Sequence, residues 1–256
     1  MNAEPQWTAA NREEVDRMGI GKFLARIFLR KKGGPGKTKS RRAEDMLAEA
    51  ELGRYLDRYL YARFPKADAF ESIERVHDKQ RQTAGIDVIF TAKDGRVFRV
   101  DEKAQLYYLN RDLPTFAFEI GSLQQGVLTV GWLCNEKLET DLYLLIWPFA
   151  DRDSPRGLQM EEITKADCLL VRKKDLLKLL ASRGLPVERL IADGERLRAE
   201  GRVGKVPIPG IGGIYYYVSD PLRYAEAPIN VIVSRRLLRQ ICRRCYIVTP
   251  EKVEEK

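Results

Sequence analysis

Residues 85–105 read GIDVIFTAKDGRVFRVDEKAQ, and this stretch decides the fold. Ile86 to Ala92 and Arg96 to Ala104 are short runs of β-branched, aromatic and alternating residues, which predicts two strands. Between them Lys93-Asp94-Gly95-Arg96 supplies Asp-Gly, a strong hairpin signal, so the strands should pair antiparallel. Side chains alternate along a strand. Val97, Arg99, Asp101, Lys103 and Gln105 therefore share one face of the second strand, while Phe98, Val100, Glu102 and Ala104 share the other. Across the hairpin Asp87, with Ile89 and Thr91 on its face, can approach Asp101.

Working outward, Ser72 to His77 reads as a preceding strand. Upstream of it, Arg41 to Phe64 is the most helical segment of the chain and stops before Pro65, as helices tend to do. Its inward stripe is read as Met46, Leu52, Gly53, Leu56, Tyr59, Leu60 and Arg63, with Glu49 on that stripe and Glu51 pointing away with Arg54 and Arg58. Downstream, Thr115 to Ile120 alternates as a strand, and Ser122 to Leu133 is open between helix and loop. Asp141 to Phe149 is nearly continuous apolar sequence, as for a strand buried on both faces. The order is helix, three strands, a crossover, then a strand. This predicts an α/β (α+β) fold with a mixed central sheet flanked by helices.

Two later segments, 167–180 and 229–241, each run from an apolar strand through a basic pair into a leucine-rich helix, and Ile214 to Ser219 reads as a further strand. The expected organisation is a basic extension over 1–40, a core over 41–183 and a C-terminal α/β extension over 184–256. In the extension, Ile20, Phe23, Leu24, Ile27 and Phe28 fall at helical spacing, and docking on its own domain outranks a membrane surface as their role.

Charge and composition narrow the function classes. The chain has 256 residues, 45 Lys and Arg against 37 Asp and Glu, and a formal net charge of +8. Such an excess attracts polyanions, nucleic acid first among them. The basic residues cluster at Arg26 to Arg42 and again around Arg235, Arg236, Arg239, Arg243 and Arg244, which makes Lys37, Lys39, Arg41, Arg42, Arg235 and Arg236 the expected nucleic-acid contacts. No apolar run approaches the length of a membrane span, so stable insertion is not expected, and the N-terminal residues lack the order of a secretory signal, which makes the cytoplasm the default location. Cys242-Arg-Arg-Cys245 is one CxxC without a second pair, and a zinc site is not expected there. Gly36-Lys37-Thr38 echoes a phosphate-binding loop, but Lys31 stands where its first glycine belongs.

Two aspartates about 4 Å apart repel by about 4 kcal/mol at an effective dielectric near 20. A fold keeps such a pair only if cations compensate. Lys103 supplies one, and a hard divalent ion with oxygen ligands suits the remainder. His77 is the single histidine, which argues against histidine-metal chemistry.

Gly85-Ile86-Asp87 followed by Asp101-Glu102-Lys103 resembles the PD-(D/E)xK superfamily of restriction-endonuclease-like nucleases, and the resemblance covers about residues 41–183. Ile86 stands where the motif has proline. Glu102 lies on an otherwise apolar face, so it either sits at a wet strand end or joins the site. The resemblance implies that Asp87 and Asp101 hold Mg²⁺ or Mn²⁺, with Glu49 as a further ligand directly or through water. It also implies that Lys103 positions or deprotonates the attacking water and that Gln105 orients water or backbone. The expected function is a metal-dependent nuclease acting on phosphodiesters, DNA before RNA, with a second copy of the chain as a candidate partner. The alternative is a non-catalytic nucleic-acid-binding or interaction protein on the same scaffold.

Overall fold

The computed structural model describes residues 42–64 and 70–256. The amphipathic segment over 18–28, the glycine linker, Lys37, Lys39, Arg41 and the side chain of Arg42 lie outside the described residues. Helix α1 (Arg42–Tyr59) tightens into a 3₁₀ turn at Tyr61–Arg63. It is followed by β1 (Phe70–Arg75), the short α2 (Lys79–Thr83), β2 (Val88–Ala92) and β3 (Val97–Ala104). Next come β4 (Thr115–Gln124), β5 (Val127–Val130), β6 (Leu142–Ala150) and β7 (Ile163–Arg172). The chain ends with α3 (Lys173–Ser182), α4 (Val187–Ala199), β8 (Gly204–Pro207), β9 (Ile214–Val218), β10 (Ile229–Ser234), α5 (Arg235–Ile241), β11 (Cys242–Val248) and β12 (Val253–Glu255).

These strands form two sheets, a seven-stranded one ordered β1-β2-β3-β6-β7-β11-β12 and a five-stranded one ordered β5-β4-β10-β9-β8. The first is mixed, because β3 pairs parallel with β6 while its other neighbours pair antiparallel. A parallel neighbour requires a crossover. Here the crossover carries no α-helix, only a 3₁₀ turn at Leu106–Tyr108. It leaves the first sheet after β3, builds β4 and β5 in the second, and returns at β6. The segment left open between helix and loop is thus the end of β4, a tight turn at Gln125-Gly126, and β5. Residues 184–256 supply β8, β9 and β10 to the second sheet and β11 and β12 to the first, so they are woven into both layers.

Strand β6 is apolar throughout because each of its faces has its own core. Tyr143, Leu145 and Trp147 pack with Phe116, Phe118, Ile120, Val231 and Leu169 between the two sheets. Leu142, Leu144 and Ile146 pack with α1 on the far side. There the helix buries Ala48, Leu52, Tyr55, Leu56 and Leu60. The buried stripe is therefore rotated from the one read in the sequence. Met46 is 59% exposed and Glu49 is exposed, while Tyr55 turns inward and donates its hydroxyl to the Val248 carbonyl at 3.1 Å. It is Glu51 that turns back toward the fold, where it accepts the Met160 amide at 3.1 Å and pairs with Arg54.

Glu102 projects from β3 onto this helix-covered face. Arg75 holds it with both terminal nitrogens, at 2.8 and 3.0 Å, and the Tyr61 hydroxyl donates to it at 2.5 Å. The same guanidinium binds Asp57 at 2.7 Å and the Gly53 carbonyl at 3.1 Å, tying α1, β1 and β3 together. Burial pushes the Glu102 carboxyl above its ordinary range, and Arg75 and Tyr61 oppose that shift. Removing one partner of a buried ion pair leaves a charge without compensation, at a cost of about 3–5 kcal/mol. Arg75→Ala should lower the unfolding free energy by about that amount in a urea titration, and a loss within the ±0.5 kcal/mol typical of surface substitutions would contradict the structural role given to Glu102.

Candidate active site

The register of the hairpin, Val88 opposite Val100, sets Asp87 across from Asp101 on the face turned toward the second sheet. The Asp87 carboxylate accepts the Glu102 amide at 2.8 Å, and the Asp87 amide donates to the Val100 carbonyl at 2.8 Å. Both ends of Asp87 are thus pinned to β3. Two residues along β3, Lys103 reaches back to Asp101 with an N–O distance of 2.5 Å. Asp87, Asp101 and Lys103 therefore converge on one face, and Glu102 lies on the other.

The surroundings raise the cost of this cluster. The side chain of Asp101 is 3% exposed and that of Lys103 28%. Burial first, then the neighbouring Asp101, pushes the Asp87 carboxyl up to about 6, and Lys103 with the Glu102 amide only partly opposes this. Burial works against the charge on Lys103, but Asp101 and then Asp87 outweigh it and hold the ammonium above the ordinary lysine range. The second oxygen of Asp101 is buried with no hydrogen-bond partner among the described residues, as is the hydroxyl of Tyr143, whose pKa burial and then Asp101 push upward. A buried oxygen without a donor is expensive.

Backbone geometry closes the walls. Gly85 has φ +78°, its carbonyl accepts the Thr140 hydroxyl at 2.9 Å, and a Cβ there would stand 2.6 Å from that hydroxyl and 3.6 Å from Asp101 Oδ2. Opposite, Trp132 lays its ring 5.2 Å from Lys103 Nζ and packs against Tyr143. Trp132 is held there by close approach at Gly131, where a Cβ would fall 2.5 Å from the Glu119 backbone. Glu119 itself lies close enough for Lys103 to act on it. Burial pushes its carboxyl up to about 7, against a hydrogen bond from Ser122.

Other residues singled out in the sequence lie elsewhere. Glu49 is on α1, which covers the opposite face, and its charge acts on Lys103 less than those of Asp101 and Asp87. Among the described residues no group of three or more His, Cys, Asp or Glu side chains is gathered as a metal-holding cluster. Gln105 donates to the Thr115 carbonyl at 2.8 Å, linking the end of β3 to β4. Arg235 is bound by Asp112 at 2.5 Å and Asp167 at 3.0 Å, lies over the Trp147 ring, and has a side chain only 13% exposed. Its neighbour Arg236 is exposed. A bulge in β11 between Cys242 and Arg244 brings the Cys242 and Cys245 sulfurs to 2.9 Å. Trp132, Tyr143 and Thr140 were not legible as site residues, because only the fold of the crossover carries them to Asp101.

Comparison with protein-family models, curated proteins and solved structures returns no match. No helix of the described residues is long and apolar enough to cross a membrane.

A carboxyl raised to about 6 in the fold and near 4 when unfolded keeps a proton that the unfolded chain has released between those values. Stability of the metal-free protein should therefore fall as pH rises from about 4 to about 6. A shift of that size is about 3 kcal/mol. Asp87→Asn should flatten this slope and raise Tm at pH 8 by ~4–8 °C, read by calorimetry in EDTA; a lower Tm with the slope unchanged would contradict the strain assigned to the pair.

Proposed function

We propose that the chain is a metal-dependent nuclease that hydrolyses phosphodiester bonds in nucleic acid, DNA in the first instance, with Asp87, Asp101 and Lys103 as its reacting group. The observation that carries this reading is the half-buried Asp87 beside the buried Asp101, repelled and desolvated, with Lys103 bound to Asp101, Lys173 acting on it as well, and one Asp101 oxygen without a donor. The element order helix, three strands, crossover and parallel strand supports it, as does the projection of Asp87, Asp101 and Lys103 to one face.

The residues fit a hard divalent ion such as Mg²⁺ or Mn²⁺. Mg²⁺ is commonly held by one or two carboxylates and completed by water and substrate phosphate, and the free oxygen of Asp101 beside Asp87 offers such a pair. When bound, the ion would polarise the phosphate and lower the pKa of water. The chain's own part is positional and electrostatic. Asp87 and Asp101 fix where positive charge can sit, Lys103 donates hydrogen bonds to the attacking water or to a phosphoryl oxygen as negative charge grows, and Trp132 shields that ammonium from bulk solvent. Water adds at phosphorus and one P–O ester bond breaks, leaving a phosphomonoester and a hydroxyl.

One observation favours a second reading. The near-complete burial of Asp101 behind Lys103 also suits a structural ion pair in a non-catalytic nucleic-acid-binding protein.

Plasmid and linear DNA incubated with the full chain in Mg²⁺ or Mn²⁺ should be cleaved, and EDTA should stop the reaction. Lys103→Ala and Asp87→Asn should each reduce the rate by about 10²–10³-fold, as loss of one preorganised charge does elsewhere. Cleavage at the parental rate in both variants overturns the assignment. Salt-sensitive, metal-independent binding with no product supports the second reading.

A further inference from the structure

Beyond the two basic runs at 26–42 and 235–244, the short run Arg172-Lys173-Lys174 at the end of β7 is joined in the fold by Arg96, nearly eighty residues earlier in the chain. An open cleft of about 440 Å³ lies at the end of the first sheet, where β3 and β6 begin and β7 passes into α3. Arg96, Phe98, Thr140, Arg172, Lys173 and Lys174 line it. The acid in its lining is Asp141, and Arg99 already engages both of its oxygens, at 2.8 and 3.2 Å. Arg172 and Lys174 make no ion pair among the described residues, Lys173 donates to the Asn135 carbonyl at 3.3 Å and is drawn by Asp101 and Asp141, and Arg96 pairs only with Asp94 in the exposed turn, a contact worth little in water.

The cleft is built rather than merely charged. Phe98 places its ring 5.7 Å from the Arg96 guanidinium and 5.9 Å from that of Arg172, an arrangement that fixes two planar cations beside one aromatic surface. The Lys173 amide donates to the Asp141 carbonyl at 3.0 Å and the Asp141 amide to the Arg99 carbonyl at 2.9 Å, so the three backbones are stitched at this end. The cleft curls round the end of the sheet that carries the carboxylate pair, with Phe98 and Arg172 on the helix-covered face and Lys173 on the side of Asp101. Thr140 lines it and at the same time bonds Gly85, whose α-carbon faces Asp101 Oδ2. Arg99 precedes Asp101 by two residues, about 7 Å along the strand.

We propose that this cleft binds the phosphodiester backbone of the nucleic-acid strand that leads into the Asp87–Asp101 site, with Arg96, Arg172, Lys173 and Lys174 as phosphate contacts. The proposal rests on the nuclease reading for the direction of the strand. The charge balance of the cleft selects a polyanion: four cations face it, and its one acid is neutralised by Arg99.

The test is fluorescence anisotropy of a labelled DNA duplex with the full chain in EDTA, so that binding is read without cleavage. Arg172→Gln/Lys174→Gln should weaken binding about tenfold and reduce the slope of log K against log salt by about 2, since each phosphate contact contributes about 0.9. Lys174→Glu alone, at an exposed position where folding is not at stake, should lower the slope by about 1. Arg202→Gln/Lys205→Gln, the same charge change on the exposed edge by β8, should leave the tenfold effect absent. Affinity and slope equal to the parent in both cleft variants overturn the proposal, whether or not the parent cleaves. Lost binding in the cleft variants together with no cleavage by the parent in Mg²⁺ retains the cleft and removes the nuclease reading.

Discussion

Two carboxylates that share a buried face must be held against their mutual repulsion, and in this protein the holding is done by the backbone before it is done by charge. The Glu102 amide fixes Asp87, the antiparallel register sets Asp101 opposite it, and Lys103 returns along its own strand to one Asp101 oxygen. Burial first, and then the charge of Asp101, displace the Asp87 carboxyl toward neutrality against the pull of Lys103. The rest of the first sheet follows from keeping this cluster in place. Arg75 removes Glu102 from competition on the opposite face, β6 backs β3 with an unbroken apolar strand, and the glycines at 85 and 131 let Thr140 and Trp132 close in.

Much of this was legible in residues 85–105 because strand geometry is local. A period of two and an Asp-Gly turn are enough to put Asp87, Asp101 and Lys103 on one face and Glu102 on the other. The apolar run of β6 announced burial on both sides for the same reason. Helix α1 was harder, since one residue of misreading rotates a helix by about 100°. Tyr55 and Tyr59 are equally apolar in composition. What decides between them is the Val248 carbonyl, nearly two hundred residues away, which accepts the Tyr55 hydroxyl. That rotation is why Glu49 faces solvent while Glu51 finds the Met160 amide.

The second sheet was not legible as a sheet. Its strands come from a crossover and from residues beyond 200, and no local period tells β4 that β10 lies beside it. The same non-locality misdirects a reading of charge. Arg235 sits in a conspicuous basic run yet is consumed by Asp112, Asp167 and Trp147, whereas Arg96 and Lys174, far apart in the chain, meet at one cleft. Density of lysine and arginine along a sequence measures attraction to polyanions in general. Which cations are free to act on them depends on where carboxylates end up in space.

A desolvated pair of acids near an open cationic cleft is a costly arrangement for structure alone, and it becomes economical once a divalent cation and a phosphate chain are both to be bound. The most direct measurement is anomalous diffraction from a crystal of the full chain equilibrated with Mn²⁺. A peak bridging the carboxylates of residues 87 and 101, lost in crystals of Asp101→Asn, is the expected result. An empty map at that position under saturating Mn²⁺, with Lys103 still seated on Asp101, would contradict it.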